Sequence, residues 1–269
     1  MWFFTPTFLA PIATGVLLAA VLAWLGIFVV MKKMSFVADG IAHASLAGIA
    51  IGVLLKANPL YTALAFAMLV GFAIFYLERR TNLPVDTIIT LLFTSSLAIG
   101  ILLMSRSGKE LESLETFLFG DIGAVSTNDM LLTVAIALAV GVFLWQTSKH
   151  LALITFDRAT AKVAGINVEK LELLFYLTLV VTIVLGLKIF GVMLVGALMV
   201  IPASAAKLVS RSFRGAVFRS VLFAILIMLA GLPLANIFSL PTGAVVVLTG
   251  VILFTFMMGV YRFAYFRRG

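Results

Sequence analysis

The 269-residue chain contains no cysteine, which excludes disulfides, thiolate-held metals and cysteine nucleophiles and leaves its redox compartment unmarked. Charge is nearly as scarce, since Asp, Glu, Lys and Arg make up 11% of residues against 63% hydrophobic ones. No stretch reads G-x-x-x-x-G-K-[ST], so the chain has no P-loop with which to bind ATP itself. H-E-x-x-H is also missing, and the only histidines, His43 and His150, lie far apart in sequence, which argues against an intramembrane metalloenzyme. Long polar blocks are absent too: the gaps between apolar runs reach only about 20 to 25 residues, too short for a soluble domain. The net charge of +8 does not mark a nucleic-acid binder, because the basic residues form no single face and sit between the apolar runs.

What is present is one apolar stretch after another, each of about 18 to 22 residues, the length that crosses a bilayer as a helix. The fold class is therefore all-α, a polytopic transmembrane helical bundle, with residues 1–269 as one membrane domain and no ten-residue alternation of the β-barrel kind. Candidate spans lie near 8–30, 36–55, 59–77, 85–104, 129–147, 171–188, 190–207, 216–235 and 242–261. That makes nine, or eight if one of the two short candidates is re-entrant. The first run lacks a basic leader and a small-residue cleavage site, so it reads as a retained helix. With nine alternating spans, fifteen of the 19 basic residues fall on one side and only Lys56, Arg106, Lys109 and Lys188 on the other. The positive-inside rule makes the first side cytoplasmic, with the N-terminus outside and the C-terminus inside.

Two connections carry more than a turn. Residues 105–128 include the apolar patch LETFLFG, suited to lying at the interface. Residues 148–170, SKHLALITFDRATAKVAGINVEK, read as an inside loop in which Asp157 caps a short helix over Arg158–Ala164 and Gly165 ends it. Such a capped, exposed helix suits either protein docking or simple connection. Lys188 in GLKIFG reads as a snorkelling side chain or a pathway residue. Pro202 in MVIPASAAK should kink a helix lined with small residues, which fits a structural bend or a gate.

The chemistry concentrates in KMSFVADGIAHASLAG, residues 33–48. Asp39 and His43 are four apart, hence on one helix face and about 6 Å apart along its axis. Carboxylate oxygen and imidazole nitrogen together suit a divalent transition metal, with further ligands from elsewhere. An ionised Asp at a membrane helix centre costs roughly 2.5 to 3.5 kcal/mol, a cost that ion binding would offset. The other reading puts Asp39 at the interface, paired with Lys32 or Lys33, and His43 on a neighbouring helix. Small neighbours, among them Ala38, Gly40, Ala42 and Gly48, allow close approach of a helix or an ion.

Several ordered blocks, taken together, resemble the permease subunits of bacterial ABC importers for zinc, manganese or iron, the ABC-3 family. They are MKKMSFVADGIAHASLAGIAIG (31–52), FLFGDIGAVSTNDM (117–130), FDRATAKVAGINVEKL (156–171), KIFGVMLVGALMVIPASAAKLVSRSF (188–213) and LPTGAVVVLTGVI (240–252). The resemblance implies an ABC importer permease fold in a bacterial plasma membrane. It implies that Asp39 and His43 hold a passing metal, that nothing is bound permanently, and that 148–170 is a cytoplasmic coupling loop. In that loop Phe156, Asp157, Ala161 and Gly165 would meet a separate ABC ATPase subunit. Expected partners are that ATPase, an extracytoplasmic metal-binding protein and a second copy of the chain, with Pro202 a candidate gate. Where many members read Gly-Asp this chain reads Ala38-Asp39, and Leu46-Ala47-Gly48 stands where manganese and iron members often read Leu-Pro-Gly. That pattern is nearer the zinc branch. The alternatives are a manganese or iron importer permease of the same family, or a proton-coupled secondary transporter using the same two residues.

Overall fold

A computed structural model describes residues 6–107, 127–238 and 240–266. The described residues form helices and turns: α1 Pro6–Met31, α2 Val37–Leu55, α3 Pro59–Arg80, α4 Val85–Ser107, α5 Thr127–Phe156, α6 Arg158–Val163, α7 Val168–Val209, α8 Phe213–Ile237 and α9 Thr242–Phe266. All but α6 are long and apolar enough to cross a membrane, so eight such helices occur among the described residues. The LETFLFG patch lies outside the described residues.

Local chemistry sets the ends. Asn58 accepts the Leu60 N–H and Pro59 opens α3, Asn167 accepts the Lys170 N–H at the start of α7, and Ser212 accepts the Gly215 N–H at the start of α8. Lys33 and Lys56, which close α1 and α2, adopt left-handed φ values of 56° and 52°. The core is formed by α1, α2 and α7, whose faces are buried on one another, while α4 and α9 turn most of their surface outward.

The two short candidate spans, 171–188 and 190–207, are the two arms of α7, joined without a loop. Gly191, at φ 72° and ψ 171°, breaks the helix between them in a region essentially only glycine adopts. The chain folds back on itself there. Phe28 near the end of α1 packs against Phe175 on the first arm, with ring centroids 5.8 Å apart, and against Phe213 just beyond the second, at 5.4 Å. Residues 175 and 213 would stand about 57 Å apart on one straight helix. Each arm is about 26 to 35 Å long, close to the thickness of a bilayer core. The arms leave and return to the end of the molecule where Lys32, Arg79, Arg158 and Lys207 cluster, and Lys188, near the bend, pairs with Asp129 at the opposite end at 2.6 Å.

The 148–170 segment departs from the loop expected of it, because α5 continues through Phe156. Leu151, Ala152 and Ile154 are buried against the bundle, and Trp24 of α1 donates to Ser148 at 3.1 Å. Burial of one face extends the helix beyond its membrane length. Lys188 is thus an ion-paired residue at the end of the bundle, and His150 is exposed.

Candidate functional site

Helix α2 is wedged between α3 and α4 by its small residues. A Cβ on Gly48 would stand 2.6 Å from the Ala63 Cα, and one on Gly40 would stand 2.7 Å from Ile89 Cγ2. The small-residue stripe is therefore occupied by neighbouring helices along much of its length. On the remaining face, Asp39 and His43 look into a cavity of about 420 Å³, walled by Phe36 just before α2, by Gly40 within it, and by Ile89, Thr90 and Phe93 from α4. The structure brings the two candidate ligands into one open space.

Three features of that space suit a cation. Asp39 lies in the first turn of α2, where the helix dipole favours a negative charge. Lys32, a possible interfacial partner for Asp39, instead reaches Glu172 at 3.1 Å. The Nδ1 of His43 is buried without a hydrogen-bond partner, while its ring meets Phe93 edge-on at 4.8 Å. A buried polar nitrogen left in that state is costly unless something binds it. Among the described residues no group of three or more acid, histidine or cysteine side chains is close enough to hold an ion, so no third such side chain stands beside Asp39 and His43.

Two residues the sequence did not single out shape this region. Gly196, on the second arm of α7, faces Asp39 so closely that a Cβ there would stand 3.2 Å from Oδ1. Asp86, in the first turn of α4, lies beside the Phe36 backbone at the start of α2, and its Oδ1 is buried without a hydrogen-bond partner. Pro202 is buried on the same arm as Gly196, about 9 Å further along it, and does not line the cavity.

The short helix α6 is built as its residue types require. Asp157 accepts the N–H groups of Ala159 and Thr160 at 2.9 and 3.1 Å, and the Thr160 hydroxyl at 2.5 Å. That hydroxyl and those N–H groups hold the Asp157 carboxyl below its usual range. At the other end Gly165, at φ 78°, donates to Lys162 and Ile166 donates to Ala161, a Schellman ending. Ala161 is buried with Ile154 and Val168. Phe156 and Val163 remain 72% and 91% exposed, so two apolar side chains flank the helix at the basic end of the bundle.

The sequence pattern of the ABC 3 transport family matches residues 5–261. The chain is similar to the high-affinity zinc uptake system membrane protein ZnuB of Haemophilus influenzae, 29% identical over 244 residues that cover 90% of this chain and 92% of that one. It is equally similar to the manganese transport system membrane protein MntC of Listeria monocytogenes, 30% identical over 241 residues covering 90% and 86%. Among solved structures it resembles PsaBC from Streptococcus pneumoniae in complex with Fab, with a TM-score of 0.81, 28% identity and coverage of 94% and 91%.

Proposed function

Because the chain belongs to the ABC 3 transport family, and is thus a metal ABC-transporter permease crossing a bacterial plasma membrane many times, we propose that it forms the pathway of an ATP-driven zinc importer. Two copies line the pathway, an extracytoplasmic binding protein delivers the ion, and a separate cytoplasmic ATPase subunit hydrolyses ATP. The observation that carries the ion site is that Asp39 and His43, one helical turn apart, line one cavity, and that the buried Nδ1 of His43 has no hydrogen-bond partner.

Two ligands make half of a tetrahedral zinc site. Water or the matching pair of a second copy would supply the rest, and a site completed that way can release its ion, as transport requires. Relatives named for zinc uptake and relatives named for manganese transport both match this chain, those named for manganese more often. A site of one imidazole and one carboxylate binds zinc more tightly than manganese by the Irving–Williams order, and the AHASLAG stretch supports the same choice. The exposed Phe156 and Val163 beside the capped α6 support docking of that helix into the ATPase subunit.

The test uses sealed vesicles containing the chain with its ATPase and binding protein. Uptake of radiolabelled zinc should require ATP, persist in the presence of an uncoupler and exceed uptake of manganese at equal concentration. Uptake that ignores ATP and collapses with the uncoupler would instead identify a proton-coupled carrier.

A further inference from the structure

Glu172 is the only charged residue fully buried among the described residues, its side chain 2% exposed. Three cations from three different elements converge on its carboxylate. Lys32, at the end of α1, reaches Oε1 at 3.1 Å. Arg79, in the last turn of α3, reaches Oε2 at 3.0 Å, and Arg158, the first residue of α6, meets the same oxygen. One cation is enough to neutralise one buried carboxylate. The other two make the contact redundant, and redundancy lets a partner leave without stranding a bare charge.

The partners differ in how easily they can leave. Lys32 and Arg79 are 10% and 20% exposed and are held over the rings of Tyr176 and Phe75. Arg158 is 44% exposed, so water can take its charge. It also belongs to α6, whose other hold on the bundle is a small apolar cluster around Ala161. Lys32 leads into the tight α1–α2 turn, in which Lys33 is left-handed at φ 56° and the Met34 N–H bonds back to Val29. That turn delivers Phe36 and Asp39 to the cavity.

We propose that Glu172 is a positioning residue that joins α6 to the α1–α2 turn, so that displacement of α6 by the ATPase subunit is passed through the shared carboxylate to Asp39. Withdrawal of Arg158 shifts the carboxylate toward Lys32 and Arg79 and tightens its hold on the turn; return of Arg158 relaxes it. The inference rests on the importer reading.

The experiment measures zinc ions imported per ATP hydrolysed in vesicles holding the complete transporter, for the wild type, Glu172→Gln, Arg158→Gln and the double variant. Each single variant should lower the ratio about fivefold or more, the low end of ordinary coupling between sites. Co-purification with the ATPase subunit and zinc binding by the solubilised complex should stay at the wild-type level. The double variant should be no worse than the poorer single one, because both changes cut the same link. A merely bracing ion pair would change yield and melting temperature but leave the ratio intact, and an unchanged ratio in Arg158→Gln overturns the proposal. That variant, at the exposed end, decides the matter alone should Glu172→Gln fail to assemble. Absence of ATP-dependent uptake by the wild type would instead remove the importer reading itself.

Discussion

Cysteines placed at Gly186 and Val195 test whether the chain folds back at Gly191. On one straight helix these nine-residue neighbours stand about 13.5 Å apart, beyond the roughly 7 Å between Cα atoms that a disulfide can bridge. In the folded-back arrangement a Cβ on Gly186 would meet Val195 Cγ2 at 2.9 Å, and the two arms touch at these positions. The natural chain has no cysteine, so Gly186→Cys/Val195→Cys carries just two thiols. After mild oxidation of the purified protein and denaturation, a maleimide mass tag should label neither thiol, and both after reduction. Gly191→Ala provides the energetic counterpart. At φ 72° and ψ 171° alanine is strained by about 1–3 kcal/mol, which for a chain of this size lowers the melting temperature by roughly 2–10 °C. Gly141→Ala, where a Cβ meets nothing within 4 Å, is the control and should melt no lower than the wild type. Two freely reactive thiols after oxidation, together with an unshifted Gly191→Ala, would refute the two-arm description and remove one crossing from the topology.

Further outcomes follow from the same contacts. Gly196→Ala sets a methyl 3.2 Å from Asp39 Oδ1; zinc uptake should fall about fivefold or more, the effect of roughly 1 kcal/mol of overpacking, while the melting temperature changes little. Gly26→Ala places a Cβ inside the Met199 carbonyl oxygen, a backbone group that cannot rotate away, so α1 and α7 must part. A loss of about 3 kcal/mol or more is expected, read as a drop in melting temperature or in assembled yield. Asp157 is held below its usual range by the Thr160 hydroxyl and the backbone N–H groups, so the stability it lends α6 is full above the ordinary carboxylate pKa and is lost as pH falls through the depressed value. Hydrogen exchange of residues 158–163 should therefore quicken only in acid for the wild type and already at neutral pH for Asp157→Ala.

Much of the fold was legible because a membrane allows so few solutions. Runs of spanning length must be helices, and the observed ends depart from the expected ones mainly where burial or a cap extends them, as at Phe156. Asp39 and His43 were legible as polar residues at helical spacing in an apolar run. The loop-free reversal was less so: in IFGVM a single glycine separates two apolar stretches, and only its left-handed φ distinguishes it from a helical glycine. Glu172 sits in VEKLELLFY, where an acid near a helix start reads as a solvated residue. Its burial depends on Lys32 and Arg79, brought from 140 and 93 positions away. Gly196 carries no side chain, so nothing in the sequence points to its facing Asp39. Pro202 was marked by type alone, and the structure sets it in the wall of the second arm rather than in the cavity.

The most direct test of the ion site compares ATP-driven zinc uptake by the wild type, Asp39→Ala and His43→Ala in vesicles with the ATPase and binding protein present. Uptake should fall at least about tenfold in each variant, the effect of losing one ligand worth about 1.4 kcal/mol or more, while assembly with the ATPase subunit and basal ATP hydrolysis persist. Undiminished uptake in both variants would contradict the account, leaving Asp39 and His43 as packing residues and the pathway elsewhere.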